Sequence, residues 1–264
     1  EDELASGMRA VDAVGAAGIV LDVDSGEVLA LASLPSFDPN KIDADGQKNM
    51  FNRVTNEVYE LGSTFKPLTI AAAIDDGVVT DLAKRYPATP LHIDGFTIHD
   101  DENLGPTLNV PETLIHSSNI VTAQIADQLG GDRLARTLAD LGMSERPYIE
   151  LPARGFPIWH KPPWPRLRTM TVGFGHGIAV TPLHLAAAYA ALVNGGIWRP
   201  ATLLKVAPGD EARGRRVVKA STSARMNQLL RMGAGDGTGR QANAPGFRVG
   251  GKTGSAEKAD AGGY

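Results

Sequence analysis

Strand-forming runs stand at the two ends of this chain, and most of what lies between them reads as helix. Residues 18–22 and 27–33 are rich in aliphatic and β-branched side chains. They flank Asp24-Ser25-Gly26, which is the pattern of a hairpin. At the far end GFRVGGKTGSA, residues 246–256, reads as a glycine-rich strand. This order predicts an α+β domain in which the terminal strands share one sheet.

The middle of the chain carries clear start and stop signals. In ELGSTFKPLTIAAAIDDG the alanines favour helix and Gly77 is a stop. Pro67 is tolerated only in a first turn, which places the start near Ser63. VPETLIHSSNIVTAQIADQLGG reads as helix, short break, helix, and DRLARTLADLG as a further helix with Gly142 past its end. TPLHLAAAYAALVNGG has Thr181 as cap, Pro182 in the first turn and Asn194-Gly195 as stop. STSARMNQLLRMG is a helix capped by Ser221 or Ser223. Residues 35–49 and 80–110 read as loop-rich, and five prolines exclude regular structure from 152–165.

Composition narrows the chemistry. The net charge of −4 carries no basic excess, so nucleic acid is not an expected partner. The absence of cysteine rules out thiol catalysis, disulfides and thiolate metal sites. No run of ~18 apolar residues is present, and no signal peptide opens the chain. The opening EDELASGMRA reads as the interior of a longer protein.

GFRVGGKTGS, residues 246–255, fits the phosphate-loop pattern G-x-x-x-x-G-K-[ST]. A phosphate loop must lead from a strand into a helix, and AEKADAGGY is no convincing helix. ATP binding is therefore not expected. GAGDGTG, residues 233–239, lacks that context too and reads as a flexible turn.

Three short motifs occur in order: Ser63-Thr64-Phe65-Lys66, Ser117-Ser118-Asn119 and Lys252-Thr253-Gly254. Serine and lysine three apart share one helix face. A serine hydroxyl needs a neighbouring base to become a nucleophile. Lys66 can serve only if burial, or a second cation such as Lys252, lowers its pKa. Ser63 at a helix N-terminus would meet backbone N–H groups that favour developing negative charge. Each motif alone is weak, because such strings also mark solvated helix starts, caps and turns. Together and in order they are much more specific, and point to a serine-lysine constellation.

The three resemble the set S-x-x-K, S-D-N and K-T-G that marks penicillin-binding proteins and class A β-lactamases, with Ser118 in the middle of the second. Asn52-Arg53 followed by YELGSTFKP, the segment GFGHGIAVTPLHLAAAYAALVNGG, and PGFRVGGKTGSAEK resemble blocks of class B penicillin-binding proteins. The resemblance covers roughly residues 16–258. Leu61, where most members have proline, resembles the septal transpeptidases of α-proteobacteria.

This resemblance implies the penicillin-binding-protein/serine β-lactamase-like fold, with an antiparallel sheet, flanking helices and a mostly helical lobe. It also implies roles. Ser63 attacks the penultimate D-alanine carbonyl of a peptidoglycan stem peptide, and Lys66 takes the serine proton. Ser117 relays a proton to the leaving amine, and Asn119 holds a substrate amide and orients Lys66. The N–H groups of Ser63 and Ser255 form the oxyanion hole. Lys252, Thr253 and Ser255 face the substrate carboxylate, with Gly254 between them. An amine of a second stem then takes the acyl group, and β-lactams acylate Ser63.

No cofactor or metal is implied. The histidines form no H-x-x-x-H pair, His99 with Asp100-Asp101-Glu102 reads as a surface turn, and His116 as local packing. The family also implies division-complex membrane proteins as partners. It places the enzyme at the periplasmic face of the inner membrane, held by an N-terminal helix. That anchor, the N-terminal module, and the strands and final helix that follow K-T-G are expected to lie outside this sequence, so that residues 1–264 form an incomplete transpeptidase domain.

Three alternatives stay open. A β-lactamase needs a deacylating glutamate, and Glu150 in IELPARG is the nearest candidate between the second and third motifs, though no E-x-x-L-N string occurs. A D,D-carboxypeptidase shares the acylation half. A β-lactam sensor domain would be acylated without turnover. Without a deacylating glutamate the acyl-enzyme is expected to be long-lived.

Overall fold

The computed structural model of the chain describes residues 1–256. The chain opens with helix α1 (Asp2–Ala10) and the hairpin β1 (Ala16–Leu21) and β2 (Val28–Leu34). The hairpin is antiparallel, with Ala17 opposite Ser33 and Ile19 opposite Leu31. Its turn forms because Asp22 Oδ1 accepts bonds from Asp24 N, Ser25 N and Ser25 Oγ, while Gly26 takes φ +81°. Ile19, Leu21, Val28 and Leu31 pack around buried Val54, Ile149, Leu183 and Ala201.

A short helix α2 (Ala44–Asn49) interrupts the expected loop 35–49, and β3 (Tyr59–Glu60) follows. A 3₁₀ turn, Gly62–Phe65, runs into α3 (Lys66–Asp75). Every residue from Lys66 to Ile74 is buried, so α3 is the axis of the domain. It packs against α5, α6, α8 and α9. Gly77 ends it at φ +74°, as its place in the sequence predicts.

The region 80–110 holds small hairpins, with β4 (Tyr86–Pro87) paired to β7 (Thr107–Leu108) around β5 (Leu91–Ile93) and β6 (Phe96–Ile98). Next come α4 (Val110–Ile115) and α5 (Asn119–Leu129), with the predicted break between them, then α6 (Gly131–Asp140). Asn109 and Glu112 cap α4 reciprocally, at 2.9 Å each way. Residues 152–165 are irregular apart from one bridge, Ile158 to Ala179.

Helix α7 (Arg166–Gly173), which sequence patterning misses, precedes β8 (Ala179–Val180) and α8 (Pro182–Val193). The last elements are β9 (Ile197–Trp198), β10 (Arg215–Arg216) and α9 (Ala220–Gly235). All named strand pairs are antiparallel.

Thr181 caps α8 as expected, but its reciprocal partner is His184. His184 Nδ1 accepts from Thr181 N at 3.1 Å and its Nε2 donates to the Glu145 carbonyl at 2.7 Å. The neutral imidazole meets this pattern, and burial pushes its pKa down to about 4. The unfolded chain therefore takes up a proton near pH 6.5 that the fold refuses until about pH 4. Stability is full above pH 6.5 and falls by up to about 3 kcal/mol as the pH drops through that window. Urea unfolding at pH 7 and pH 4.5 should show this extra loss in the wild type and not in His184→Gln. An equal loss in both proteins would refute it.

Two expectations are corrected. Helix α9 begins at Ala220 after Lys219, so Ser221 and Ser223 lie inside its first turn. No side chain caps it; Asp75 of α3 anchors its start instead, Oδ1 accepting from Lys219 N at 2.6 Å and Thr222 Oγ1 at 2.7 Å. Ser223 Oγ instead donates to the Leu192 carbonyl.

The segment 246–256 is not a strand, and it shares no sheet with β1 and β2 among the described residues. Its backbone bonds go to α9: Gly251 N donates to the Leu230 carbonyl, and Arg231 Nη1 to the Val249 carbonyl. The reading of AEKADAGGY, residues 256–264, as non-helical falls outside the described residues from 257 onwards.

Candidate active site

The three motifs converge. Ser63, Ser117, Asn119, Thr253, Gly254 and Ser255 line one cavity of about 490 Å³, and Lys66 is buried with 0% exposure beneath it. Ser63 sits in the 3₁₀ turn that leads into α3, so Ser63 and Lys66 lie one turn apart on one continuous helical segment. Tyr189 of α8 fixes that turn, its hydroxyl donating to the Thr64 carbonyl at 2.7 Å.

Ser117 occupies the break between α4 and α5 with φ +61°, a left-handed conformation that costs a serine about 1 kcal/mol or more. In that conformation both its Oγ, at 3.0 Å, and its carbonyl accept from Lys66 Nζ. Ser118 caps α5, its Oγ accepting from Val121 N. Asn119 lies in the first turn of α5 with Nδ2 donating to the His99 carbonyl at 3.1 Å.

Glycines let backbone meet backbone here. A Cβ on Gly62 would stand 2.1 Å from the Ser255 carbonyl oxygen, and one on Gly254 would stand 2.6 Å from that of Leu61. The third motif therefore lies directly against the turn that carries Ser63. Thr253 Oγ1 meets Thr238 Oγ1 at 2.6 Å.

Electrostatics set the lysines apart. Burial, and next the charge of Lys252, bring Lys66 down to about 7, against the opposing pull of Asp100 and Asp101. Burial lowers Lys252 to about 8. Lys66 gives up its proton first, so Lys252 titrates beside a neutral amine and burial alone governs it. The site at neutral pH holds one amine that can accept a proton and one cation.

Patterning missed several lining groups. Asp100 accepts bonds from residues 118–120 and is no simple surface turn. His116, read as packed, is exposed at the end of α4 and lines the cavity, since the helix stops there before Ser117 turns. In the stretch 233–239, which reads as a turn, residues 233–235 belong to the end of α9 and 236–239 are the turn that brings Thr238 into the site. Glu60 pairs with His176 at 2.9 Å and accepts from Gly177 N, holding the 174–176 lip. Glu150 is committed elsewhere, to Thr202 Oγ1 at 2.6 Å and Leu203 N at 2.8 Å, and does not line the cavity. Among the described residues no cluster of His, Asp or Glu could hold a metal ion.

The sequence profile of the penicillin binding protein transpeptidase domain matches residues 16–264. The chain belongs to that family. Over 264 residues this transpeptidase domain is 40% identical to the probable peptidoglycan D,D-transpeptidase FtsI of Caulobacter vibrioides, covering 98% of this chain and 44% of the relative. The Escherichia coli K12 peptidoglycan D,D-transpeptidase FtsI is 31% identical, over 91% of this chain and 40% of its own length. The transpeptidase domain thus spans less than half of these two relatives. In three dimensions it resembles the TP domain of Burkholderia pseudomallei penicillin-binding protein 3, with a TM-score of 0.88 and 29% identity over 100% of this chain and 76% of that one. The α+β fold expected from the resemblance is that of this family.

Proposed function

We propose that this chain is the catalytic domain of a peptidoglycan D,D-transpeptidase, and that Ser63, Lys66, Ser117, Asn119 and Lys252 are its catalytic groups. The observation that carries this reading is a fully buried lysine, whose burial pulls its pKa down to about 7. It stands one turn from a serine at a helix start, bonded to Ser117 and beside a second lysine.

Neutral Lys66 takes the Ser63 Oγ proton as the oxygen attacks the penultimate D-alanine carbonyl. The N–H groups of Ser63 and Ser255 stabilise the oxyanion, which in such sites is the largest electrostatic contribution. Collapse of the adduct breaks the peptide bond. The leaving amine of the terminal D-alanine receives the proton from Lys66 through Ser117. The amine of a second stem peptide then attacks the ester and loses a proton to Lys66, which returns a proton to Ser63 Oγ as the ester bond breaks, leaving free Ser63 and neutral Lys66. Asn119 holds the donor's amide. Lys252, Thr253 and Ser255 bind the donor's carboxylate, and Gly254 lets its backbone approach closely.

We place this activity in septal wall synthesis at the periplasmic face of the inner membrane, a reading that the likeness to the relatives named FtsI supports. Division-complex membrane proteins are the corresponding partners, and β-lactams the corresponding inhibitors.

Labelling with fluorescent penicillin tests the reading. The adduct should map to Ser63, persist without multiple turnover, and be absent from Ser63→Ala. An adduct elsewhere would defeat the assignment. Rapid turnover of penicillin would favour a β-lactamase, which the engagement of Glu150 with residues 202–203 speaks against.

A further inference from the structure

We propose that Asp100 is a positioning residue of this site: its carboxylate holds residues 118–120 so that Ser117 stays folded onto Lys66. This deepens the acyl-transfer reading above and rests on it.

Asp100 lies in the stretch after β6, remote in sequence from all three motifs. Its Oδ1 accepts from Asn119 N at 2.5 Å and Ile120 N at 3.0 Å, and its Oδ2 from Ser118 Oγ at 2.7 Å. The neighbouring His99 carbonyl takes Asn119 Nδ2. Two consecutive residues thus bind every residue of the second motif's helical end. Helix α5 already has its own cap in Ser118, which accepts from Val121 N. That cap satisfies one of the orphan N–H groups of the helix start, and Asp100 satisfies two more from outside the helix.

What it constrains is the residue just before. With 118–120 pinned from outside, Ser117 is held at φ +61°, and in that conformation its Oγ and carbonyl both face Lys66 Nζ. Freed from Asp100, Ser117 would relax towards the negative φ that serine prefers and its carbonyl would swing away.

Charge supports the same assignment. Lys66 is faced by Lys252 from the third-motif segment, which disfavours its protonation, and by Asp100 and Asp101 from the 99–102 stretch, which favour it. Asp100 alone among these acids also bonds to the second motif. Asp101 makes no hydrogen bond among the described residues, so it offers charge without positioning.

The experiment is the rate of Ser63 acylation by fluorescent penicillin from pH 5 to 9. It compares the wild type with Asp100→Asn, Asp100→Glu and Asp101→Asn, and near-UV circular dichroism monitors folding. In Asp100→Asn the rising limb should move to lower pH by about one unit, since an anion that stabilised protonated Lys66 is gone. The plateau should fall at least ~10-fold, because a displaced proton relay is a misplaced catalytic group. Asp100→Glu should keep the limb near its wild-type position and still lose plateau rate, the charge being present and the reach wrong. Asp101→Asn should move the limb with a smaller plateau loss.

A folded Asp100→Asn with an unmoved limb, or with a plateau within threefold of wild type, overturns the proposal. If Asp100→Asn fails to fold, Asp100→Glu decides: a wild-type plateau there overturns it equally. A wild-type protein that is not labelled on Ser63 counts against acyl transfer itself, a failure distinct from that of Asp100.

Discussion

Replacing Lys66 with methionine should slow acylation of Ser63 by roughly 10³-fold or more, within the range that loss of a positioned general base gives. Methionine keeps the length and fills the buried volume while removing the amine. The wild-type acylation rate should rise with pH through about 7, where Lys66 becomes neutral, and fall above about 8, where Lys252 loses the charge that receives the substrate carboxylate. The residual rate of Lys66→Met should lack the rising limb.

The same substitution has a stability signature. In the unfolded chain Lys66 stays protonated up to its ordinary pKa of 10.5, whereas in the fold it is neutral above about 7. Between those values the unfolded state binds one more proton, so this group makes stability rise with pH by about 1.4 kcal/mol per unit. Chemical denaturation at pH 7.5 and 9 should show that slope in the difference between wild type and Lys66→Met. A rate within tenfold of wild type, or a stability difference flat in pH, would show that Lys66 is an ordinary buried lysine.

The motif residues were legible because each is a local string whose spacing states its geometry. Serine and lysine three apart must share a helix face, and Lys66 could act only if buried or beside another cation; both hold. The helix ends set by Gly77, Gly142 and Thr181 were legible for the same reason: the signal lies within a few residues of the element it ends.

What patterning missed was supplied across the chain. Asp75 anchors the start of α9 from another helix, so the serines within STSARM read as caps that they do not provide. Asp100 reaches the second motif from a loop, so DDE was read as a solvated turn. The third motif was read as a strand because its composition allows one. Just before it, Gly251 N and the Val249 carbonyl instead bond to α9, a choice fixed by tertiary packing.

A methyl group on Gly62 should slow acylation by about 10²-fold, for a reason that is purely steric. Gly62 has φ +51°, and an added Cβ would lie 2.1 Å from the Ser255 carbonyl oxygen, 3.0 Å from its carbon and 3.5 Å from its nitrogen. Real Cβ atoms do not approach backbone oxygen so closely, and a backbone carbonyl cannot swing aside as a side-chain tip can. The third-motif segment must therefore move outward by about 1 Å, and a displacement of that size costs about 10²-fold in a positioned acyl-transfer site. It also draws the Ser255 N–H away from that of Ser63, the two donors proposed for the oxyanion.

Gly77→Ala is the control. That glycine also has positive φ, at +74°, yet nothing lies within 4 Å of the added carbon. Each variant should lose about 1 kcal/mol or more of stability from backbone strain. Only Gly62→Ala should lose acylation, by about 10²-fold, with Gly77→Ala near the wild-type rate. Equal acylation in the two variants, measured as the rate of fluorescent penicillin labelling, would mean that the contact between residues 62 and 255 does not hold the oxyanion donors together.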